Sequence, residues 1–512
     1  MNRSRSFARF AETEAVSDDL KRKSVVGALT TGAGGALDLV LRLGSTLILA
    51  RLLVPEDFGL VVMVTAITAI AEYFTNLGLS TATVQSPRIT HEQCSNLFWI
   101  NAAAGAAFAV LLVLFSPAIA AFYGDPRLRA IAVVLSLNFI FIGAGVQHEA
   151  LLRRQMKLPR LAASHLVATL LSVSVAIGLA WSGFGYWALV LKEVVQAFLV
   201  AAGSWFLCPW LPGLPSRDTP MRRLLTFGRD MTLTQLLLAV SAQLDTLLIG
   251  RFVNAVTLGL YRQAYNLIMT PVERLRAPIY SVSQPGLSIL QAEPDRYRRY
   301  YQRILFVVTL VTVPLGVFTF LYAHEIVLVA LGEKWLGSIV FLRIFGVAAV
   351  VLPALGTTGT VMITCGRSGR FFIVALINNL TMVICMVVGI GFGAVGIAVA
   401  RVATSIVIMP WSLPYSFSGT PVSVGDFLRS ISRPCIASAI MGVSLWAFRR
   451  VAPLESEVLA LLGGAAAAGL VYFLAFLLIP GGRNQVQSLA AELLGVIRNR
   501  SSVRVKADED TM

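Results

Sequence analysis

Leu97-Phe-Trp-Ile-Asn-Ala-Ala-Ala-Gly-Ala-Ala-Phe-Ala-Val-Leu-Leu-Val-Leu-Phe-Ser-Pro-Ala-Ile-Ala-Ala121 runs without a single charge. A helix that crosses a bilayer needs about 20 mainly apolar residues. This stretch is long enough, and it has company on both sides. Before it come 28–50 and 58–83, and after it 128–149, 161–181 and 186–207. A longer polar-bearing loop, 208–229, follows. Then come 230–250, 257–290, 303–323, 337–364, 371–391 and 393–411, and a last pair at 432–448 and 458–479. The reading is an all-α integral membrane protein with about fourteen transmembrane helices.

Composition agrees. The 512 residues are 56% hydrophobic and 13% charged, with a mean hydropathy of +0.76. A soluble domain carries about 25% charged residues. An ordinary soluble enzyme and a disordered chain are both excluded. The net charge of +15 sits in short gaps between apolar runs. That is a topology signal and not a groove for nucleic acid. Arginine outnumbers lysine 36 to 6. Arginine suits partly buried cations and phosphate, and a GC-rich genome favours it equally. The five cysteines show no CxxC spacing, so neither a disulfide framework nor a metal site is expected. About 24 polar residues precede the first span, too many for a cleavable signal peptide.

The basic residues set the orientation. Loops that follow even-numbered spans carry 17 Lys and Arg, from Arg88 to Arg433, and odd loops carry 7. Even loops and both termini are therefore expected in the cytoplasm. Arg251-Phe-Val-Asn-Ala-Val-Thr-Leu-Gly-Leu260 repeats features of Arg51-Leu-Leu-Val-Pro-Glu-Asp-Phe-Gly-Leu60 at an offset of 200 residues. The two segments join equivalent spans of two six-span sets. Because six is even, the sets have the same orientation: a parallel repeat about an axis along the membrane normal. The expected parts are a cytoplasmic N-terminal segment 1–24, an N-lobe 25–207, a linker 208–229, a C-lobe 230–411, an extra helix pair 432–479 and a cytoplasmic tail 480–512. In the tail, Leu489, Leu493 and Ile497 recur at four-residue spacing and suggest a short surface helix.

Catalytic motifs are missing. No Lys follows Gly, so there is no nucleotide-binding loop of the Walker type. His91, His148 and His324 each precede Glu, but none continues as HExxH, and no GxSxG occurs. The three His-Glu pairs fall near span ends and read as solvated. The chain does not read as an enzyme, and no cofactor is indicated.

Ionisable residues within hydrocarbon are costly and face a cavity or a partner. Asp38 and Arg42 lie four apart on one face of the first span, readable either as a self-neutralising pair or as a cation at a cavity. Glu72, with Asn76 one turn on, lies in the second span. Lys192 and Glu193 lie in the sixth, Asp245 in the seventh, Arg343 in the tenth and Arg401 in the twelfth. Asp38, Glu72 and Asp245 are candidates for ion coupling. In the eighth span Arg262, Tyr265, Met269, Glu273 and Arg276 form one stripe about 21 Å long. The stripe faces a water-filled interior or a protein interface. Pro271 and Pro278 are expected to break the same helix. Arg42, Arg262 and Arg276, with Tyr265 and Glu273, are the candidate substrate-binding residues. Guanidinium groups suit a phosphate or pyrophosphate through bidentate hydrogen bonds.

Ala50-Arg-Leu-Leu-Val-Pro-Glu-Asp-Phe-Gly-Leu-Val-Val-Met63 resembles a signature of bacterial polysaccharide flippases, in the multidrug/oligosaccharidyl-lipid/polysaccharide exporter superfamily. Ser116-Pro-Ala-Ile-Ala-Ala-Phe-Tyr-Gly-Asp-Pro-Arg-Leu128, Ser241-Ala-Gln-Leu-Asp-Thr-Leu-Leu-Ile-Gly-Arg251 and Leu258-Gly-Leu-Tyr-Arg-Gln-Ala-Tyr265 also resemble that family. The likeness covers roughly residues 25–420. It implies two six-helix lobes around a V-shaped cavity in the bacterial inner membrane. It further implies translocation of an undecaprenyl-pyrophosphate-linked oligosaccharide for exopolysaccharide or lipopolysaccharide O-antigen synthesis. Cationic residues in the first and eighth spans of relatives match Arg42 and Arg262. The implied partners are the lipid-linked oligosaccharide, the bilayer, and a polysaccharide polymerase with its chain-length machinery. An alternative is a multidrug/cation antiporter of the same superfamily, which the extra span pair and the arginines argue against. A membrane glycan polymerase would need a large periplasmic loop, and every odd loop is short.

Overall fold

The computed structural model describes residues 20–76, 79–86, 89–216, 240–451 and 456–483. The first residues of the N-terminal segment, Arg88, residues 217–229 of the linker, and the tail with Leu489, Leu493 and Ile497 lie outside the described residues. So does the side chain of Asn76.

The described residues are helical almost throughout. The N-terminal half holds α1 (Leu20–Leu52), α2 (Pro55–Asn76), α3 (Leu79–Gln85), α4 (His91–Tyr123), α5 (Arg127–Leu135), α6 (Leu137–Arg154), α7 (Leu158–Trp181) and α8 (Tyr186–Leu207). Then follow α9 (240–252), α10 (Ala255–Ile289), α11 (Pro294–Leu321), α12 (Ala323–Ala330), α13 (Ser338–Thr364), α14 (Ser368–Ile390), α15 (Gly393–Phe417), α16 (Val424–Val451) and α17 (Glu457–Leu478). Among the described residues, ten helical stretches are long and apolar enough to cross a membrane, with α5 and α6 together making one of them. The side chains Arg262, Gln263, Asn266, Glu273, Arg274 and Arg276 keep α10 outside that set.

Local chemistry sets the ends. Pro55 opens α2 with Glu56 and Asp57 in the first turn, where acids suit the helix dipole. The Asp57 carboxylate accepts the Val54 N–H at 3.2 Å. A capping box starts α4: Gln93 N donates to Thr90 Oγ1 at 3.2 Å, and Thr90 N donates to Gln93 Oε1 at 3.1 Å. Gly124, at φ 76°, closes α4 in the left-handed conformation that glycine adopts freely. In the turn beyond it, hydrogen bonds from Arg127 hold the Asp125 carboxyl below the usual carboxylate range.

Prolines inside these helices free a carbonyl one turn back. Pro117 frees the Val113 carbonyl, which accepts from Ser116 Oγ at 2.7 Å. Pro314 frees the Leu310 carbonyl, which accepts from Tyr472 Oη of α17 at 3.0 Å. In a bilayer each such group needs a protein partner.

Several boundaries differ from the sequence reading. Of the second expected span, 58–83, α2 covers the part to Asn76 and α3 the part from Leu79, and residues 77–78 lie outside the described residues. The fourth is divided by the single residue Ser136 into α5 and α6. The expected break of the eighth span at Pro271 and Pro278 does not occur, and α10 runs through both. A proline ring fixes φ within the helical range and removes one hydrogen bond, a loss that the helix's own continuity can absorb. The thirteenth span starts earlier, at Val424, because Ser423 and Asp426 cap each other: Ser423 N donates to Asp426 Oδ2 at 3.0 Å, and Asp426 N to Ser423 Oγ at 3.1 Å.

The histidines also differ. His148 is fully buried. Its Nε2 lies 3.0 Å from the Trp210 carbonyl, and its ring stacks on Trp205 with centroids 4.1 Å apart. The cause is the start of the linker, which returns over α4 and α6. Trp210 Nε1 donates to His91 Nδ1 at 3.1 Å, Gly213 N to Ser95 Oγ at 2.8 Å and Ser216 N to Asn96 Oδ1 at 2.8 Å. Glu325 is buried too, and pairs with Arg449.

Two compact units divide the chain. The first takes Met1–Arg274, Ala330–Phe341 and Asn379–Thr404, and the second takes Leu275–Val329, Leu342–Asn378 and Ser405–Met512. Within the first unit α2 and α10 cross at their N-terminal turns. A Cβ on Gly59 would strike the Ala255 carbonyl, and a Cβ on Gly259 would strike the Pro55 carbonyl. Residues 55 and 59 thus meet residues 255 and 259 reciprocally, at the 200-residue offset of the sequence repeat. Two helix backbones can touch this closely only where neither side carries a Cβ.

In the second unit α11 packs on α16 and α17. Phe306, Ala437, Ala475 and Phe476 form one core there, and Tyr322, Met441, Leu445 and Ala468 another.

Candidate functional site

A cavity of about 360 Å³ opens in the first unit. Its walls include Asp38, Arg42, Arg153, His165 and Arg274, with Gly34 and Gly35 leaving space on α1. Asp38 is the hub. Arg42 Nε donates to Asp38 Oδ2 at 2.8 Å, Arg274 Nη2 to the same oxygen at 3.3 Å, and Thr169 Oγ1 to Oδ1 at 3.3 Å. The Asp38 side chain is 15% exposed, while those of Arg42 and Arg274 are 42% and 47% exposed. The acid is therefore the buried anchor, and two guanidiniums keep donors free for the cavity. Beside them Arg153 Nη2 donates to Glu149 Oε2 at 3.3 Å, and His165 Nε2 lies 3.3 Å from Glu149 Oε1.

Arg274 is the residue the sequence reading missed. It lies off the stripe of Arg262, Tyr265, Met269, Glu273 and Arg276, so periodicity could not select it. Its partner stands 236 positions away.

The other candidates fall into separate groups. The Arg262 guanidinium lies 5.3 Å from the centroid of the Tyr265 ring, and that of Arg401 lies 5.5 Å from the same centroid. Tyr265 Oη donates to Glu273 Oε1 at 2.8 Å. Met269, in the middle of the stripe, is buried. Arg262 is not among the residues that line the cavity of Arg42. Arg276 belongs to the second unit. There it donates to Tyr280 Oη at 3.3 Å, and its side chain lies against Gly356.

Asp245 is 1% exposed. Its Oδ2 accepts from Arg401 Nη1 at 2.7 Å and from Tyr261 Oη, and its Oδ1 accepts from Thr246 N at 2.8 Å. This acid is fully engaged by donors of its own chain. Glu72 differs: it lines a second cavity of about 280 Å³ with Asn138, Glu149, Glu193 and Gln196. No cluster of three or more potential metal ligands occurs among the described residues.

The long helices define a multi-pass membrane protein of all-α transporter architecture, and the solved structures agree on the fold. A lipid II flippase MurJ in an inward closed conformation aligns with a TM-score of 0.71 at 14% identity, over 88% of this chain and 98% of that one. An inward-facing multidrug resistance MATE family transporter aligns with a TM-score of 0.57 at 16% identity, over 76% and 98%. The polysaccharide biosynthesis protein family matches residues 48–340, and the chain belongs to that family. Two relatives show the same kinship. The lipopolysaccharide biosynthesis protein WzxC of Escherichia coli is 23% identical over 395 residues, 76% of this chain and 80% of that one. The succinoglycan biosynthesis transport protein ExoT of Rhizobium meliloti is 24% identical over 463 residues, 88% of this chain and 91% of that one.

Proposed function

We propose that the chain is a flippase of the bacterial inner membrane that moves undecaprenyl-pyrophosphate-linked oligosaccharide repeat units outward for exopolysaccharide or O-antigen synthesis. The observation that carries this reading is the Asp38-centred cavity with Arg42, Arg153 and Arg274 on its wall. A glycan and a pyrophosphate would otherwise cross about 30 Å of hydrocarbon. Cavity guanidiniums replace water around the phosphates with paired donors. The cation excess argues against a cationic drug as cargo. Arg262 and Arg276, with Tyr265 and Glu273, are offered as further contacts along the path. The N-lobe at 25–207 and the C-lobe at 230–411 are the bodies that alternate, with the pair at 432–479 appended. The chain acts as a carrier without bond chemistry, and a polymerase uses the delivered units outside.

Five variants test the site in cells that depend on this chain. Arg42→Ala and Arg274→Ala are each expected to cut polymer export at least about tenfold, the loss of roughly one charged hydrogen bond, with normal protein levels in the membrane. Lys at either position is expected to fall between, because it keeps charge but loses the planar fork. Asp38→Ala combined with Arg42→Ala restoring export would reduce Arg42 to a structural partner and defeat the assignment. In each failing variant, lipid-linked intermediates should accumulate.

The orientation follows from the 17-to-7 charge count. A reporter that works only in the cytoplasm is expected to function when inserted at Lys157 and to be silent at Gly183. The reverse pattern would invert the proposed topology.

A further inference from the structure

We infer that a cavity of the second unit, walled by α13, α14 and α15, is a subsite for a neutral sugar ring, held by Asn378, Ser405 and Ser412. That the ring belongs to a lipid-linked cargo rests on the transport reading above.

Three helices each turn one face into this space of about 280 Å³. α14 contributes Phe371, Val374 and Asn378, and α15 contributes Ser405, Ile408 and Ser412. Steps of three or four residues put each set on one side of its helix. On α13 two glycines make room. A Cβ on Gly359 would meet the Phe371 ring at 2.9 Å. Arg276, offered above as a contact along the path, lies against Gly356 of the same wall.

The polar groups of the wall are uncommitted. A serine or threonine inside a helix often donates to a carbonyl three or four residues earlier. Thr404 Oγ1 does so to the Ala400 carbonyl at 2.7 Å, and Thr358 Oγ1 to the Leu355 carbonyl at 2.9 Å. Ser405, next to Thr404, does not, nor does Ser412. The Asn378 side chain makes no hydrogen bond among the described residues. α14 and α15 are both long and apolar enough to cross a membrane. A polar side chain on such a helix is costly unless something polar meets it. Here three of them, from two helices, converge on one cavity.

Their chemistry selects the guest. An amide offers an acceptor and two donors, and each hydroxyl donates and accepts. No Asp, Glu, Lys, Arg or His stands in this wall. A hard cation takes about six oxygen ligands, which the wall does not supply. A phosphate pairs best with guanidiniums, which line the Asp38 cavity of the first unit instead. A purely apolar guest would leave the amide and both hydroxyls unmet. A sugar ring meets them: its hydroxyls donate and accept around the edge, and its C–H faces are apolar. Leu352, Leu355, Phe371 and Ile408 supply the apolar surface. Small-molecule sites commonly combine an apolar lining with a few placed polar groups. The charged cavity thus takes phosphate and the neutral one takes saccharide.

The full chain, purified in detergent, is titrated with polyprenyl pyrophosphate and with the same lipid bearing one glucose, galactose or N-acetylglucosamine. Tryptophan fluorescence reads the binding. Wild type is expected to hold at least one sugar-bearing lipid about tenfold tighter than the bare carrier, the worth of one or two neutral hydrogen bonds. Asn378→Ala combined with Ser405→Ala is expected to lose that difference, with monodisperse elution guarding against unfolding. A photoreactive group on the preferred sugar should mark peptides of α13, α14 or α15 in wild type. Wild type that prefers no sugar, or a preference that survives the double variant, overturns the subsite and leaves the cavity to water. Photolabelling confined to other helices overturns it as well. Free monosaccharide that binds as tightly as its lipid-linked form overturns the assignment to a lipid-linked cargo. Arg42→Ala is expected to weaken all of these lipids. If it weakens none while the sugar preference stands, the subsite is supported and the phosphate reading falls. If it weakens all and no sugar is preferred, only the subsite falls.

Discussion

Gly59→Val and Gly259→Val are each expected to destroy export and to leave markedly less folded protein in the membrane. A Cβ at either position collides with a backbone carbonyl of the opposite helix, Ala255 in one case and Pro55 in the other. Side chains can rotate away from an intruder, but a carbonyl held in a helix cannot. Overpacking a core costs about 1–3 kcal/mol when neighbours adjust. Here two helices must separate, so a loss at the upper end of that range is expected. Gly59→Ala already suffices to show it. Gly178→Ala is the control, since nothing lies within 4 Å of its added Cβ. That variant should be neutral or more stable by up to about 1 kcal/mol. Thermal unfolding in detergent, followed by tryptophan fluorescence, separates the two. A wild-type midpoint for Gly59→Ala would mean that α2 and α10 do not cross as described.

The second large effect is expected at Asp245. Its removal leaves Arg401, whose side chain is only 18% exposed, as a buried cation without its carboxylate. Breaking one side of a buried pair costs about 3–5 kcal/mol, while replacing both sides by apolar groups can be nearly neutral. Asp245→Ala and Arg401→Ala should therefore each be severe, and Asp245→Leu with Arg401→Met should recover most of the loss. Tyr261→Phe, which removes one of the donors to Asp245, should cost about 1 kcal/mol. Single variants within about 1 kcal/mol of wild type would refute this account of the network, as would a double variant worse than both.

Much of this architecture is legible in the chain because bilayer thickness is a stringent ruler. An apolar run such as 97–121 has few alternatives, and α4 appears where that run stands, extended at its start by the polar residues from His91 to Asn96 and at its end by Phe122 and Tyr123. The repeat of 51–60 at 251–260 marked two segments that meet each other at Gly59 and Gly259. Ends and breaks are harder to read. Pro271 and Pro278 look like breaks in a sequence, but α10 runs through them. The candidate site divides in the same way. Spacing of four puts Asp38 and Arg42 on one face, and they do pair. Spacing cannot report a partner on another helix. Arg274 with Asp38, Arg401 with Asp245, and the burial of His148 under Trp210 all depend on which helices become neighbours. No period within one helix encodes that.

The proposed flippase carries a lipid-linked saccharide across a bilayer through a cavity built on Arg42, Asp38 and Arg274. The direct measurement uses purified protein in liposomes holding a polyprenyl-pyrophosphate-linked oligosaccharide with a fluorescent sugar. A membrane-impermeant quencher reports the fraction exposed outside as time passes. Wild type is predicted to turn the probe over far faster than protein-free liposomes, and Arg42→Ala and Arg274→Ala to be slow. A wild-type rate equal to that of empty liposomes under every imposed gradient would contradict the account.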